Sequence, residues 1–374
     1  MSFLRSRLLA MTGLAVVASL SGAVLSANAA GVTVPDSAKT HTMPWGEFKL
    51  APRIVEKLAK GEKANIVVGI EGTGLPIQGA EMRMGTAQGC ETANTMLPAD
   101  CRMVGPVNPD TTQQLAELET LLNSGQVDCL ALQPPLPNQF TAIINKYAAA
   151  GIPVFTLNID APKAKRFAFY ALNEVQAGTI NGEETAKLVK AQGIDVKEIA
   201  LGSGAPDQPW AQARMEGFIK GYKSVFPDAK FFNDAKSGIP TGKNFTTQEV
   251  LNSVTPFLTA HPEVTLFFHT DQGVEGVGNV IRNLKLGGKV FTSGFNVSGA
   301  ILDSVGAGTT LVTIDQGFDN QAQAPVEQCA KYLTTGETPA DPLQYLRPIV
   351  ITQKGGDAQI DVDAARARLK AASN

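Results

Sequence analysis

"LFFHTDQGVEGVGNV", residues 266–280, is the stretch that decides how the chain is read. An apolar run ends at Phe268, His269 and Asp271 follow, and glycines stand at 273, 276 and 278. A dinucleotide-binding loop places G-x-G-x-x-G directly after a strand, and each glycine has its own steric reason. Here the order is G-x-x-G-x-G, and the glycines fall inside a segment that reads as helix. The fingerprint is therefore absent. What remains is a buried strand, a polar group at its carboxyl end, and a helix whose glycines let it pack closely on a sheet.

The rest of the chain repeats that unit. "ANIVVGI" (64–70), "CRMVGP" (101–106), "VDCLALQ" (127–133) and "IPVFTLN" (152–158) are short apolar runs of the kind found in buried parallel strands. Helical stretches separate them. In "NPDTTQQLAELETLLNSG" Asp110 is an N-cap with Gln113 as its capping-box partner, Leu115, Leu118, Leu121 and Leu122 form the apolar stripe, and Gly125 ends it. The alternation restarts at "RFAFYALN" and continues through "EIALGSG", "AKFFNDA", "EVTLFFHT", "KVFTSGFN", "TTLVTIDQG" and a last strand "LQYLRPIVI". Strands alternating with helices mean parallel sheets with right-handed crossovers. The predicted fold class is α/β, with two doubly wound, Rossmann-like parallel-sheet domains.

Composition narrows the function. The chain has 374 residues, enough for two domains, with 44% hydrophobic and 18% charged residues. A formal charge of -3 gives no reason to expect nucleic acid or an anionic membrane as partner. Arg5 and Arg7, the apolar run "LLAMTGLAVVASLSGAVL" and the small-residue site Ala27–Ala29 predict a secretory signal peptide over residues 1–29, hence a periplasmic protein. Residues 30–64 read as an extension with a short helix packed outside the first domain. Export permits disulfides, and Cys90 and Cys101 are expected to pair across "ETANTMLPAD". Cys129 in a strand and Cys329 in a helix read most simply as buried free thiols, and sequence alone leaves open whether they pair. There is no C-x-x-C, so a structural zinc site is not expected; with no metal-ligand cluster and no P-loop in the sequence, no metal or cofactor is expected either.

In open parallel sheets ligands bind beyond the carboxyl ends of the strands. The residues at those ends are Glu71, Gln78, Gln133, Asn158 and Asp160, then Asn173, Pro209, Trp210, Arg214 and Asp234, then Thr270, Asp271, Asn296, Asp315 and Gln316. Amides, carboxylates, one arginine and an aromatic suit a neutral polyhydroxylated ligand. Carboxylates and amides bond neighbouring hydroxyls, arginine donates to oxygens, and an aromatic face covers the C–H side.

At these positions the chain resembles the type I periplasmic binding proteins, specifically the ribose-binding group of sugar transport components. "LTAHPEV…LFFHTDQGVEGVGNVIRNL", "GFNVSGAILDSV" and "ARMEGF" carry the resemblance, which spans about residues 64–353. It implies two lobes joined by a three-strand hinge. The first lobe would be 65–160 plus 317–342 and the second 173–314 plus 347–353, with hinge passages at 161–172, 315–316 and 343–346. It implies sugar contacts from Asn158, Arg214, Asp271, Asn296 and Gln316, a stacking Phe245, and Thr270 where the family has Asn. Departures are Ile159 in place of a second sugar-binding arginine, with Asp160 beside it, and a first loop offering Leu75, Ile77 and Gln78 in place of Asn and Phe. Trp210 would supply a different aromatic wall. These departures argue against plain ribose or galactose.

The resemblance implies the solute-binding component of an ABC transporter, a monomer that delivers a monosaccharide or polyol to an inner-membrane permease. A ligand-sensing partner of a membrane receptor is the alternative. A secreted carbohydrate-active enzyme using His269 and Asp271 as acid and base is a third reading. It has little else behind it, with three histidines in all and no G-x-S-x-G or P-loop. A regulator would need a DNA-binding segment where the signal peptide stands.

Overall fold

The computed structural model describes residues 31–75 and 77–372, so the expected signal peptide lies outside the described residues. Two sheets organise the chain. The first has six parallel strands in the order Leu343–Tyr345, Phe169–Ala171, Val154–Leu157, Cys129–Leu132, Ala64–Gly69, Ala99–Val104. The second has eight, in the order Lys354–Gly356, Gln359–Asp361, Ile349–Thr352, Thr310–Asp315, Phe291–Phe295, Val264–His269, Glu198–Ser203, Ile239–Pro240. Its middle strands are parallel, and Ile349–Thr352 runs antiparallel to Thr310–Asp315. Strands such as Cys129–Leu132 and Val264–His269 are buried along their whole length, as strands covered on both faces must be. We call the bodies around these sheets the first and second lobes.

Local chemistry sets the helix starts. Asp110 accepts from the Gln113 backbone N–H, and Thr246 with Glu249 forms a reciprocal capping box. Proline opens the helices Pro52–Ala59, Pro137–Ala149 and Pro209–Val225, where its missing N–H costs nothing.

The chain passes between the lobes three times. It leaves the first sheet after Ala171, returns between Asp315 and Phe318, and crosses again between Tyr345 and Ile349. Residues 161–171 belong to the first lobe, with Ala161, Ala164 and Phe167 in its core. The helix Phe318–Thr335 also packs there, through Phe318, Val326 and Tyr332. "LQYLRPIVI" is therefore two strands in different sheets, interrupted at Pro348. "AKFFNDA" contributes only one isolated bridge, Ile199 with Phe231. The edge position there is taken by Ile239–Pro240, which suits proline because an edge strand can spare a donor.

Two expectations are corrected. Cys129 and Cys329 are not free thiols: they form a disulfide, with Cα atoms 5.9 Å apart, beside the expected Cys90–Cys101 bond. The folding of Phe318–Thr335 back onto the first sheet brings Cys329 over Cys129, 200 residues away in sequence, which local patterns cannot reveal. The extension is not packed outside the lobe either. It forms a hairpin, Thr40–Met43 with Gly46–Lys49, and the helix Pro52–Ala59. Phe48, Ile54 and Leu58 are buried in the first core, and Phe48 meets Phe167 edge to face at 4.9 Å. Arg53 and Lys57 each approach the fully buried Asp128 carboxylate to 2.6 Å.

Candidate functional site

The second lobe presents Arg214 through a close helix pair. Glu174–Gln192 lies against Pro209–Val225 so tightly that a Cβ on Gly178 would stand 2.2 Å from the Arg214 carbonyl oxygen. Only glycine allows that approach, and the approach sets Arg214 against Glu174. Arg214 is 4% exposed. Its Nε donates to Glu174 Oε2 at 2.6 Å, Nη1 to the Thr270 carbonyl at 2.9 Å and Nη2 to Gln316 Oε1 at 2.7 Å. Its guanidinium stands 4.3 Å from the centre of the Phe295 ring and 5.1 Å from that of Trp210. A planar cation held on its edge and stacked on its faces is oriented before any ligand arrives.

Gln316 carries the contact onward. Its amide donates to Asn296 Oδ1, and its backbone carbonyl accepts from Gln321 Nε2 at 3.0 Å. In the first lobe Asn158 donates to Gln321 Oε1 at 3.0 Å. Gln133 gives its two amide hydrogens to Asn158 Oδ1 and Glu71 Oε1, each at 3.0 Å, and takes one from the Glu71 backbone N–H. A continuous polar chain thus runs Glu71–Gln133–Asn158–Gln321–Gln316–Asn296, with Arg214 and Glu174 joined at Gln316. It passes from the strand ends of one lobe to those of the other. Burial raises the Glu71 pKa, opposed by hydrogen bonds from Gln133 and Gln78.

The other expected residues occupy several settings. Asp271 is 5% exposed and receives the Gly204 and Gly273 N–H groups at 3.0 and 2.9 Å. Thr270 bonds Ser203 and Asp271 and turns its carbonyl to Arg214. Asn173 caps the helix Glu174–Gln192 by accepting from Gln176. Asp160 is bound by Arg166 at both oxygens, 2.6 Å each, and by Thr156, so these neighbours already hold its carboxylate. Gln78 opens the helix Gln78–Ala93 beside Glu71. Trp210 stands over Arg214. Phe245 has φ 57, and its carbonyl accepts from Gln272.

Backbone strain marks the same places. Four non-glycine residues have positive φ among the described residues, and Asn158, Phe245 and Asn296 are three of them. Asparagine tolerates this region better than most residues, which suits Asn158 and Asn296 to the turns where their strands end. Such strain collects at functional sites. His269 is fully buried, its Nε2 2.8 Å from Thr241 Oγ1, and desolvation lowers its pKa. It is a neutral packing residue beneath Gly273.

Glu71 and Gln133 were visible as strand-end residues, although the resemblance assigned them nothing. Glu174 and Gln321 gave no such signal: one reads as a helix start, the other as a surface amide in "QGFDNQAQAP". Among the described residues no group of three or more His, Cys, Asp or Glu is placed to hold a metal ion. No helix among them is long and apolar enough to cross a membrane.

Comparison with known proteins fits this architecture. The family model described as "periplasmic binding protein domain" matches residues 72–338. The chain belongs to this family. Its members are solute-binding proteins, and the catalytic reading of His269 and Asp271 falls with that membership. Solved structures agree in fold. A sugar-binding protein of a sugar ABC transporter from Bacillus halodurans superposes with TM-score 0.68 at 20% identity, covering 81% of this chain and all of that one. A periplasmic solute-binding protein of an ABC transporter from Actinobacillus succinogenes, solved with bound D-allose, gives 0.65 at 23%, covering 82% and 100%. An arabinose-binding protein from Geobacillus stearothermophilus gives 0.66 at 19%, covering 82% and 98%.

Proposed function

We propose that this protein is the exported solute-binding component of an ABC transporter, binding a neutral sugar or sugar-like polyol between its lobes. The observation that carries the reading is the polar chain from Glu71 to Arg214. It lines the strand ends of both lobes with amide, carboxylate and guanidinium groups, and the one cation in it is already matched by Glu174. Such a surface offers hydrogen bonds to hydroxyls and no free positive charge to a carboxylate or phosphate. Asn158 and Asn296 belong to that chain, Gln78, Thr270 and Asp271 add further polar groups, and Trp210 and Phe245 are the aromatic walls. The lobes close on the ligand by bending at the three crossings, and a membrane permease reads the closed form. The protein acts as a monomer, without cofactor, and does not bind nucleic acid. The sugar names borne by similar structures support the ligand class.

The test is a thermal-shift screen with D-allose, D-arabinose, other pentoses and hexoses, sugar alcohols, inositols and amino acids. A ligand that binds only the native state raises the melting temperature by mass action. A rise with a neutral polyhydroxylated compound is expected. A rise confined to amino acids or other charged solutes would contradict the ligand class and leave the fold assignment standing.

A further inference from the structure

Outside the cleft, the segment between Asp315 and Asp319 is gripped by the C-terminal helix, Val362–Ala372. Arg368 Nε lies 3.4 Å from Asp315 Oδ2, and Nη2 lies 3.2 Å from Asp319 Oδ2. Asp315 ends a strand of the second lobe, whereas Asp319 sits in the first turn of Phe318–Thr335, which packs in the first lobe. The helix bearing Arg368 belongs to the second lobe. Ala365 and Leu369 pack with Val297, Leu302 and Ile351, and Arg366 pairs with Asp303. Among the described residues, Arg368–Asp319 is the one side-chain ion pair that joins the two lobes.

The surroundings make that pair costly to break. Asp315 and Asp319 are 5% and 4% exposed. Glu81, on the first-lobe helix Gln78–Ala93, faces both of them and Arg368. It is 6% exposed, and its Oε2 has no hydrogen-bond partner. Burial first, and then the charges of Asp315 and Asp319, push its pKa up to about 8, so near neutral pH it is mostly a neutral acid. Burial raises the Asp315 pKa as well, opposed by the Gly317 N–H and by Arg368, and both aspartates face the one guanidinium. Withdrawing Arg368, whose side chain is 36% exposed, would take from the two buried carboxyl groups the cation they are paired with. Between them lies Gln316, the residue through which the polar chain passes from lobe to lobe.

We propose that Arg368 is a positioning residue for the cleft: from a helix outside it, Arg368 fixes the 315–319 crossing and straps the lobes together, limiting how far they part. The strap acts whichever ligand the cleft takes, and its test needs none. Arg368→Met and Asp319→Asn are compared with wild type by small-angle scattering and by amide hydrogen exchange at 316–319. Arg366→Met, which loses a pair within the second lobe, is the control. Both strap variants should show a larger radius of gyration, and exchange at 316–319 faster by on the order of tenfold or more. Arg368→Lys should recover part of the effect, because it keeps the charge and loses the fork. If Arg368→Met does not fold, Asp319→Asn decides alone. Wild-type radius and exchange in the strap variants would overturn the proposal, as would an equal change in Arg366→Met.

Discussion

At the scale of residues, Arg214 is the group whose loss should be felt most, in two ways. Removing it takes a donor from the cleft and leaves Glu174 with an unmatched charge. Arg214→Ala should weaken binding of the ligand identified by the screen by about 2–5 kcal/mol in titration calorimetry. It should also lower the melting temperature. Arg214→Met with Glu174→Gln should regain the melting temperature without regaining affinity. Recovery of both would mean that the arginine serves only the fold. Gly273 has a different kind of importance. A Cβ there would stand 2.2 Å from His269 Cε1, and Gly273 is the N-cap of the helix Val274–Asn283, where alanine is also the poorer residue, so Gly273→Ala should cost about 1–3 kcal/mol in denaturant unfolding. Of the three glycines only Gly273 meets the sheet closely, at His269; Gly276 faces Val250 and Gly278 faces Ser304 on neighbouring helices, where packing on the sheet was expected. What the sequence could not convey at this scale is partnership. Glu174 and Gln321 acquire their roles from residues 40 and 163 positions away, Arg214 and Asn158.

At the scale of elements, the strands and most helices were legible because their signals are local. Asp110, Pro137 and Thr246 act within one turn, and a fully apolar run has few alternatives to a buried strand. The misreadings have a common physical cause. "AKFFNDA" has the residue types of a strand, yet only Phe231 meets a neighbour, and Asn233 uses its side chain to bond the Leu201 backbone instead. "LQYLRPIVI" looks continuous, but Pro348 separates two sheets. The helix Gln78–Ala93 carries a pH-sensitive group of its own in Glu81. Burial raises its pKa from the ordinary glutamate value of 4.5 to about 8. An acid with a raised folded pKa favours the fold below the unfolded value and loses that advantage as pH rises through the folded one. Unfolding stability should therefore fall from about pH 4.5 to 8 by at most about 1.4 kcal/mol per unit from this residue. Glu81→Gln should flatten that slope and raise stability at pH 8. An unchanged slope would show that Glu81 titrates normally.

At the scale of the whole molecule, each lobe is built from two segments, about 31–171 with 318–345 for the first and 172–315 with 349–372 for the second. The alternation of strands indicates two units, whereas the interleaving of segments was only what the family resemblance implied. The Cys129–Cys329 bond, invisible in the sequence, sews the returning helix to the sheet. In the chain-entropy picture a loop of 200 residues should stabilise more than one of 11, here by about 2–3 kcal/mol. Replacing Cys129 and Cys329 by alanine should therefore lower stability more than replacing Cys90 and Cys101. Equal losses would indicate that strain or residual structure outweighs loop length. The central claim concerns the cleft, and Trp210 reports on it directly. The chain has two tryptophans, and Trp45 packs against Phe48 and Phe167 in the first lobe. The decisive measurement is a fluorescence titration of a Trp45→Phe variant with the compound that gives the largest thermal shift. Ligand binding beside Arg214 predicts a saturable change in Trp210 emission with the midpoint found by calorimetry. Binding by calorimetry without any change at Trp210 would contradict the account and place the ligand elsewhere.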